Sequence, residues 1–395
     1  MSTKKIILTV LLAIFLSSGG MVFGQSLLDV RTPSTRASAM GGRHAALADD
    51  LDSLFNNPAG FQVVSSELSV AELTIGLSGP IFDIIGVIAQ SSSGGAENIL
   101  ASPEGQNLLN GLYSSADVLG PLSFGYVGRG LGFGLFNNSN MTIVNEKPLT
   151  VTAYLSERLT LCGGYSFAVP FTEGSRHSLN FGVLLKGVVE GQVEIEKSFL
   201  EFPTLFSSFS TATITSEPFY LISAIGFDLG ILYSFDERFH FGLTGVDAFT
   251  PAMINSYSSF DTFIGGNEAP ALSNSIYPAK INFGFMYTPR LRKLGRFISD
   301  LRLLLDYDDI FDFAIHPETA RNPLLHIGFG TEIELLEILA LRVGMYEGLF
   351  AAGLGIDLKV LTLNAAMFGT ELSSEPGLRP VYNILLGLEF RFDQK

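Results

Sequence analysis

The fold is decided by residues 227–244, which read FDLGILYSFDERFHFGLT. On both sides of the polar turn Asp236-Glu237-Arg238, apolar residues alternate with small or polar ones. A period of two indicates β-strands with one apolar face, and two such runs around a short polar turn indicate a hairpin. Apart from Leu232, the second face consists of small or polar residues with a single carboxylate, Asp228, so it is not densely charged. The stretch therefore predicts a sheet with an apolar face on one side and a small or polar face on the other.

The same alternation recurs along most of the chain. It is found in residues 179–186, 281–287, 301–307, 325–332, 339–345 and 384–392. A soluble β-sandwich also alternates, but its outward face would be rich in charge. The repeated pattern of an apolar face opposite a small or polar face is typical of a transmembrane antiparallel β-barrel. We therefore predict an all-β fold of this kind.

Composition agrees with a membrane barrel. The 395 residues are 47% hydrophobic and only 16% charged, and they include 42 glycines. After the N-terminus no run of 18 apolar residues occurs, so helical membrane spans are excluded and a closed barrel remains. The net charge of −15 argues against nucleic acid as a partner. The single Cys162 excludes an intramolecular disulfide and a cysteine-rich metal site.

The first 24 residues read as a signal peptide. Lys4 and Lys5 precede an apolar core from Ile6 to Leu16, and small residues end at Gly24. A membrane anchor is the alternative, but this core is too short to span a bilayer. The remaining 371 residues allow about 14 strands at about 26 residues for each strand and its connection. The predicted division is a signal peptide at 1–24, an N-terminal segment at 25–66 and a barrel at 67–395.

The segment before the barrel does not alternate. Residues 36–61 read RASAMGGRHAALADDLDSLFNNPAGF, and we expect the first strand to begin near Glu67. Ala45 to Phe55 could form a short helix that Asn57-Pro58 would end, because the residue before proline is pushed out of the helical region. A polar segment without strands ahead of a barrel can be placed inside the lumen.

Residues 36–61 resemble the N-terminal hatch of FadL-type outer-membrane transporters, including the largely uncharacterised spirochaetal branch of that family. The shared pattern comprises Ala37 to Gly42, Ala46 to Asp50, and Phe55 to Gly60. The resemblance implies a barrel plugged by its N-terminus that passes hydrophobic molecules, typically long-chain fatty acids. The hatch residues carried over by this pattern are Met40, Gly41, Gly42, Asn56, Asn57, Pro58, Ala59 and Gly60.

Two alternatives accompany this resemblance. An isolated Asn-Pro-Ala-Gly is an ordinary turn, although here two further parts of the pattern lie upstream in register. A similar hatch also occurs in a related barrel that acts as a shuttle in protein secretion. A non-transport shuttle or scaffold that binds secreted partners is therefore the second functional hypothesis.

Three cations and three aromatic residues are candidates for ligand binding. Strict alternation places Lys186, Arg302 and Arg342 on the lumen face, where they could meet a carboxylate; ion pairs with lumen Asp or Glu are the alternative. Residues 198–219 form an external loop rich in phenylalanine. Phe202, Phe206 and Phe209 in that loop could dock a lipid, or they could pack on each other as a lid.

Other expectations concern chemistry, location and partners. No Gly-x-Ser-x-Gly occurs, and the five histidines lack metal-ligand spacing, so we expect no enzymatic activity, no cofactor and no metal. We expect a monomer in the outer membrane of a diderm bacterium, in contact with its lipid. The strand ending at Phe390-Arg-Phe392 resembles the signal that the barrel-assembly machinery reads, although three further residues follow it.

Overall fold

The computed structural model describes residues 34–80, 111–147, 149–172, 174–199, 211–290, 297–315 and 317–393, together with residues 84, 106 and 201. All of them belong to the unit Arg31–Lys395. The predicted signal peptide, residues 1–24, lies outside the described residues, as do Phe202, Phe206 and Phe209.

The described residues contain sixteen antiparallel strand segments. They are β1 (Glu67–Ser78), β2 (Tyr113–Gly128), β3 (Leu131–Lys147), β4 (Thr150–Ala168), β5 (His177–Ser198), β6 (Phe219–Phe235), β7 (Phe239–Phe249), β8 (Pro251–Tyr257), β9 (Ala271–Ile276), β10 (Lys280–Tyr287), β11 (Ile298–Tyr307), β12 (Ile327–Leu335), β13 (Leu339–Tyr346), β14 (Leu349–Asp357), β15 (Leu361–Glu371) and β16 (Pro380–Asp393).

These segments close into a ring of fourteen strands. β1 pairs with both β2 and β16, and β5 pairs with β6, so the sheet closes on itself. β7 and β8 pair one after the other with β6 and form a single strand interrupted at Thr250. β9 and β10 form a second interrupted strand opposite them. The predicted all-β barrel of about fourteen strands is confirmed, and closure removes the edges that an open sheet would expose.

The hairpin predicted at residues 227–244 is present. β6 and β7 meet at a three-residue turn in which Asp236 and Glu237 adopt positive φ angles of 56° and 54°. The β2–β3, β12–β13 and β14–β15 connections are two or three residues long and lie at the same end, which we call the short-turn rim. The opposite end, the loop rim, carries the long β1–β2 and β5–β6 connections.

The outer face of the ring is apolar. Leu229, Leu243 and Phe283 point outward, whereas their neighbours Asp228, Thr244 and Asn282 are buried on the inner face. At the short-turn rim the outer face carries aromatic rings. The ring centroids of His177 and Phe235 are 5.0 Å apart, and those of Phe239 and Tyr287 are also 5.0 Å apart. An apolar band bordered by aromatic rings is suited to contact with lipid.

Five short helices and two 3-10 turns complete the described structure. They are α1 (Thr35–Ala39), α2 (Ser53–Asn56), α3 (Thr211–Thr215), α4 (Phe260–Gly265), α5 (Asp312–Ile315), η1 (Pro58–Gln62) and η2 (Pro323–His326). None of the helices in the described part of the chain has the length and apolar character needed to cross a membrane.

The helix expected from Ala45 to Phe55 is much shorter than predicted. Only Ser53–Asn56 is helical. Upstream, the Ala45 carbonyl accepts a hydrogen bond from the Asn57 side chain at 2.7 Å. The Ala45 carbonyl is therefore used in a tertiary contact, whereas in a helix it would accept a hydrogen bond from the backbone amide four residues later. The predicted end of the helix is correct, because Asn57 is extended at φ −157° before Pro58.

The glycines at 128, 130, 132 and 134 follow one another at intervals of two, but they do not share one strand face. Gly130 lies in the β2–β3 turn with φ +81°, so only Gly132 and Gly134 line β3. Tyr346, the last residue of β13, packs inward against Gly42. The side of the wall that a residue faces therefore depends on the turn at Gly130 and on the phase of β13 at Tyr346, and the spacing of residues in the sequence does not show it.

Candidate functional site

Residues 34–66 lie on the inner face of the ring. α1 contacts β13, β14, β15 and β16, whereas η1 contacts the strands from β2 to β6 on the other side. Ala39, Met40, Ala59 and Phe61 are completely buried. A segment that touches opposite walls of a closed ring lies across its lumen, and we call residues 34–66 the inner segment.

Wall glycines make room for this segment. A Cβ atom on Gly182 would overlap the Pro58 carbonyl group, and one on Gly242 would overlap the Ala45 carbonyl group. On the far wall, a Cβ on Gly344 would overlap Met40. Because these strands present no side chain at those positions, the backbone of the inner segment packs directly on the wall.

The eight residues predicted for the hatch are all part of this packing. Met40, Gly41, Asn56, Asn57, Pro58, Ala59 and Gly60 are buried, and Gly42 is half-buried. Gly41 and Gly42 have φ angles of 89° and 112°, and a Cβ on Gly41 would lie 2.7 Å from the Met345 nitrogen. Positive φ and close backbone approach both require glycine here.

Asn57 joins the inner segment to the wall. Its Nδ2 donates to the Ala45 carbonyl at 2.7 Å and to the Ile231 carbonyl of β6 at 3.2 Å, and its Oδ1 accepts from the Ala59 amide at 3.0 Å. The side chain is completely buried. One amide therefore fixes the turn before η1, the upstream chain and the wall strand together.

A second attachment is an ion-pair network around Arg36 of α1. Arg36 Nη1 lies 2.8 Å from Asp49 and also contacts Asp50, and its Nη2 lies 2.7 Å from Glu332 of β12. Burial alone would lower the pKa of Arg36, but these carboxylates raise it well above its ordinary value. Burial alone would raise the pKa of Asp49, but Arg36 and Arg302 lower it to about 2. Arg36 and Asp49 therefore both stay charged at physiological pH.

A third attachment, which the sequence did not indicate, is the pair of His44 and Asp306. His44 Nδ1 lies 2.6 Å from Asp306 Oδ2 of β11, and the Ala45 amide donates to Asp306 Oδ1 at 2.9 Å. His44 is completely buried. Alternation alone could have placed Asp306 on the inner face, but the sequence carried no signal that linked it to His44.

The three candidate cations are on the inner face, and each has carboxylate partners. Lys186 Nζ lies 2.8 Å from both Asp228 and Asp247. Arg342 Nε lies 2.7 Å from Glu332, and Arg302 contacts the same carboxylate. The structure thus brings Arg302 and Arg342 together with Arg36 around Glu332, and it places Lys186 in a separate cluster. Their role toward a ligand stays a prediction.

Further polar groups of the inner face were not singled out from the sequence. Arg158 Nη2 of β4 lies 2.8 Å from Glu190 of β5. Asp117 of β2 accepts hydrogen bonds from Asn140 at 2.6 Å and Ser115 at 3.2 Å. The alternation that places Lys186 on the lumen face places Arg158 and Asp117 there as well. Which residues they contact is known only from the tertiary structure.

A cavity of about 330 Å³ lies between the inner segment and the wall near the short-turn rim. Its lining is strongly charged, with nine carboxylates and four arginines. The carboxylates are Asp49, Asp50, Asp52, Glu67, Glu72, Glu332, Glu334, Asp357 and Glu389, and the arginines are Arg36, Arg302, Arg342 and Arg391. We call it the acidic cavity.

An apolar cluster lies at the loop rim. Val151, Val193 and Phe219 of β4, β5 and β6 are buried there, and α4 covers Phe219 with Phe260 and Phe263 at ring distances of 4.9 and 4.7 Å. On these strands the buried residues have the same phase as exposed outward residues such as Leu159, Val189 and Ile225. The cluster is therefore on the outer face of the wall.

No protein-family model matches the chain, and no curated protein matches it. Among solved structures, the chain is similar to the toluene transporter TbuX of Ralstonia pickettii, with 10% identity over 93% of this chain and 100% of that chain and a TM-score of 0.49. It is also similar to the toluene transporter TodX of Pseudomonas putida (11% identity, 93% and 99% covered, TM-score 0.46).

A FadL homologue of Pseudomonas aeruginosa is a further neighbour, with 13% identity over 92% of this chain and 99% of that chain and a TM-score of 0.43. The assignment of the barrel rests on the strand pairing of this chain itself, and the spirochaetal assignment stays a prediction.

Proposed function

We propose that this protein is an outer-membrane barrel that lets hydrophobic small molecules pass. The observation that carries the proposal is the closed ring of fourteen strands, apolar outside and polar inside, with the inner segment held across its lumen. A barrel of this kind satisfies every backbone group in lipid. Because the inner segment contributes no strand to the ring, it can move aside without breaking the ring.

The proposed location is the outer membrane of a diderm bacterium, reached by export after removal of residues 1–24. Phe390 and Phe392 of β16 face outward and are 43% and 48% exposed. Aromatic residues at these positions support recognition of the last strand by the barrel-assembly machinery. We expect the protein to act there as a monomer surrounded by outer-membrane lipid.

Long-chain fatty acids are the cargo that the sequence suggests. A tail of 15 methylenes contributes on the order of 12 kcal/mol at about 0.8 kcal/mol per buried CH₂, before ordering costs. Affinity should therefore follow tail length. A carboxylate head would have to displace Asp228 from Lys186, or Glu332 from Arg302 and Arg342, because these cations already have carboxylate partners.

The second candidate function is a shuttle or scaffold without transport. The apolar cluster at the loop rim is the observation that favours this function. If α4 moved away from the wall, the cluster would expose a hydrophobic surface to which a protein partner could bind. In that case the inner segment would serve only to stabilise the barrel.

Mass spectrometry of the organic extract from purified, folded protein tests the proposal. We expect hydrophobic molecules in amounts comparable with the protein, and much less in an extract from protein that was heat-unfolded and washed in the same detergent. Equal amounts in both samples would count against a hydrophobic cargo. Copurification of a secreted protein, without retained hydrophobic molecules, would support the shuttle instead.

A further inference from the structure

The acidic cavity is lined by more carboxylates than arginines, and each of its arginines already pairs with a carboxylate. Arg36 and Arg302 pair with Asp49 and Glu332, and Arg342 pairs with Glu332. The fourth arginine, Arg391, lies 2.7 Å from Asp357. An anion that entered this cavity would meet arginines that are bound to carboxylates and would be repelled by the remaining charge.

Two carboxylates of the cavity have only neutral partners. Asp52 accepts a hydrogen bond from Ser34, and Glu72 of β1 accepts from Thr74 at 3.0 Å and from Ser123 at 3.5 Å. Neither makes an ion pair with a described residue. Both are half-buried, and carboxylates that are shielded from bulk water without a cation partner favour either a bound proton or a bound cation.

Two buried hydroxyl groups point to a ligand independently of the carboxylates. Thr35 of α1 and Thr362 of β15 line the cavity, and each is only 5% exposed. Among the described residues neither Oγ1 has a hydrogen-bond partner. Buried polar groups are normally satisfied, so an unpaired hydroxyl in a polar cavity marks a place for a donor or acceptor from outside the chain.

We propose that the acidic cavity binds the ammonium group of a small primary amine. An ammonium group donates three hydrogen bonds and carries the compensating positive charge, so it can serve Asp52, Glu72 and the Thr35 hydroxyl together. The volume of about 330 Å³ equals roughly ten waters at about 30 Å³ each, which is enough for such a group with a short alkyl chain.

A bare metal ion fits the cavity less well. In the described residues, no three side chains of the His, Cys, Asp or Glu type are arranged to hold a metal ion. Carboxylates that are spaced around a cavity suit the larger radius and directional donors of an ammonium group better than the short contacts that a divalent cation needs. The proposal does not depend on the hydrophobic cargo described above.

Three water-soluble ligands of five carbons each provide the test: pentylammonium, pentanol and pentanoate, titrated calorimetrically at pH 8 into the full-length protein in detergent. We expect saturable binding of pentylammonium at one site and at least tenfold weaker binding of the other two. Binding of pentanoate or pentanol as tight as that of pentylammonium would overturn the proposal. Displacement of pentylammonium by an equal concentration of calcium would overturn it as well.

Variants locate the site. Asp52→Asn combined with Glu72→Gln should weaken pentylammonium binding at least tenfold, because both carboxylates lose their charge. Asp117→Asn is the matched control: this inner-face carboxylate also has only neutral partners but does not line the cavity. Unchanged binding in the double variant, or an equal loss in the control, would overturn the assignment. Thr35→Val, which preserves shape, should weaken binding severalfold and provides a second reading if the double variant does not fold.

Discussion

At the scale of single residues, several polar side chains attach the inner segment to the wall, and Asn57 is one that joins three parts of the chain. Replacing Asn57 with Ala leaves the Ala45 carbonyl and the Ala59 amide without their partners, a loss of about 1–3 kcal/mol for buried groups. We expect faster hydrogen exchange of the Ala59 amide and of the α2–η1 turn.

Asn56→Ala is the matched control for that measurement. Asn56 is adjacent and also buried, but its Nδ2 has no hydrogen-bond partner among the described residues. We expect little change in exchange. An equal increase in both variants would mean that volume, and not the hydrogen bonds of Asn57, holds the turn.

Asp52 should make the inner segment sensitive to pH. Burial and the neighbouring Asp50 raise the pKa of Asp52 to about 7, with Glu389 acting in the same direction and Ser34 and Arg36 opposing it. The carboxyl group of Asp52 has a pKa near 4 in the unfolded chain and about 7 in the folded protein. Its contribution to stability is therefore fully present below pH 4 and is lost as the pH rises from 4 to 7, because only the folded state keeps the proton in that range. Asp49 has its pKa lowered to about 2, so it stays ionised through this window.

We therefore expect protease protection of residues 36–52 to fall between pH 4 and pH 7 in the native protein. The decrease should be much smaller in Asp52→Asn, which cannot titrate at this position. Identical pH profiles for the two proteins would assign the change to other groups.

At the scale of elements, the ring and the inner segment have different requirements. Each strand pairs with its two neighbours, whereas the inner segment contributes no strand to the ring. Deletion of residues 36–60 should therefore leave a barrel with heat-modifiable mobility on gels and should increase passage of small solutes. Pro58→Ala should keep the same mobility. Complete loss of folded barrel would show that the segment is needed for assembly.

The β5–β6 connection allows a separate prediction about docking. Replacing Phe202, Phe206 and Phe209 together with Ser should weaken capture of long-chain fatty acids, and more for longer tails, because several kcal/mol of apolar contact is removed. Phe311→Ser with Phe313→Ser is the control, since both are exposed aromatic residues of the β11–β12 connection. Capture that is unchanged at every chain length would leave the loop only a packing role.

At the scale of the whole molecule, the apolar outer band predicts insertion into a bilayer. Leu243 of β7 points outward within this band and is 37% exposed. Leu243→Arg should lower the yield of membrane-inserted barrel, because arginine at the bilayer midplane costs about 2–4 kcal/mol. Leu336→Arg, in the β12–β13 turn at the short-turn rim, should insert normally. Equal yields would contradict a lipid-facing band at Leu243.

The amino-acid sequence by itself determined the strands and the approximate size of the barrel. Alternation with a period of two places a side chain on one face through local geometry alone, so the inward positions of Lys186, Arg302 and Arg342 could be predicted. The end of α2 at Asn57-Pro58 is equally local, since proline restricts the residue before it.

Only the tertiary structure decided which inner groups meet. Arg36 and Glu332 are 296 positions apart in the chain, and His44 and Asp306 are 262 apart. No local pattern specifies such pairs, because barrel closure and the path of the inner segment bring them together. The same holds for the acidic cavity: its charges come from the inner segment and from several separate strands, so its surplus of carboxylates exists only once the ring has closed around residues 34–66.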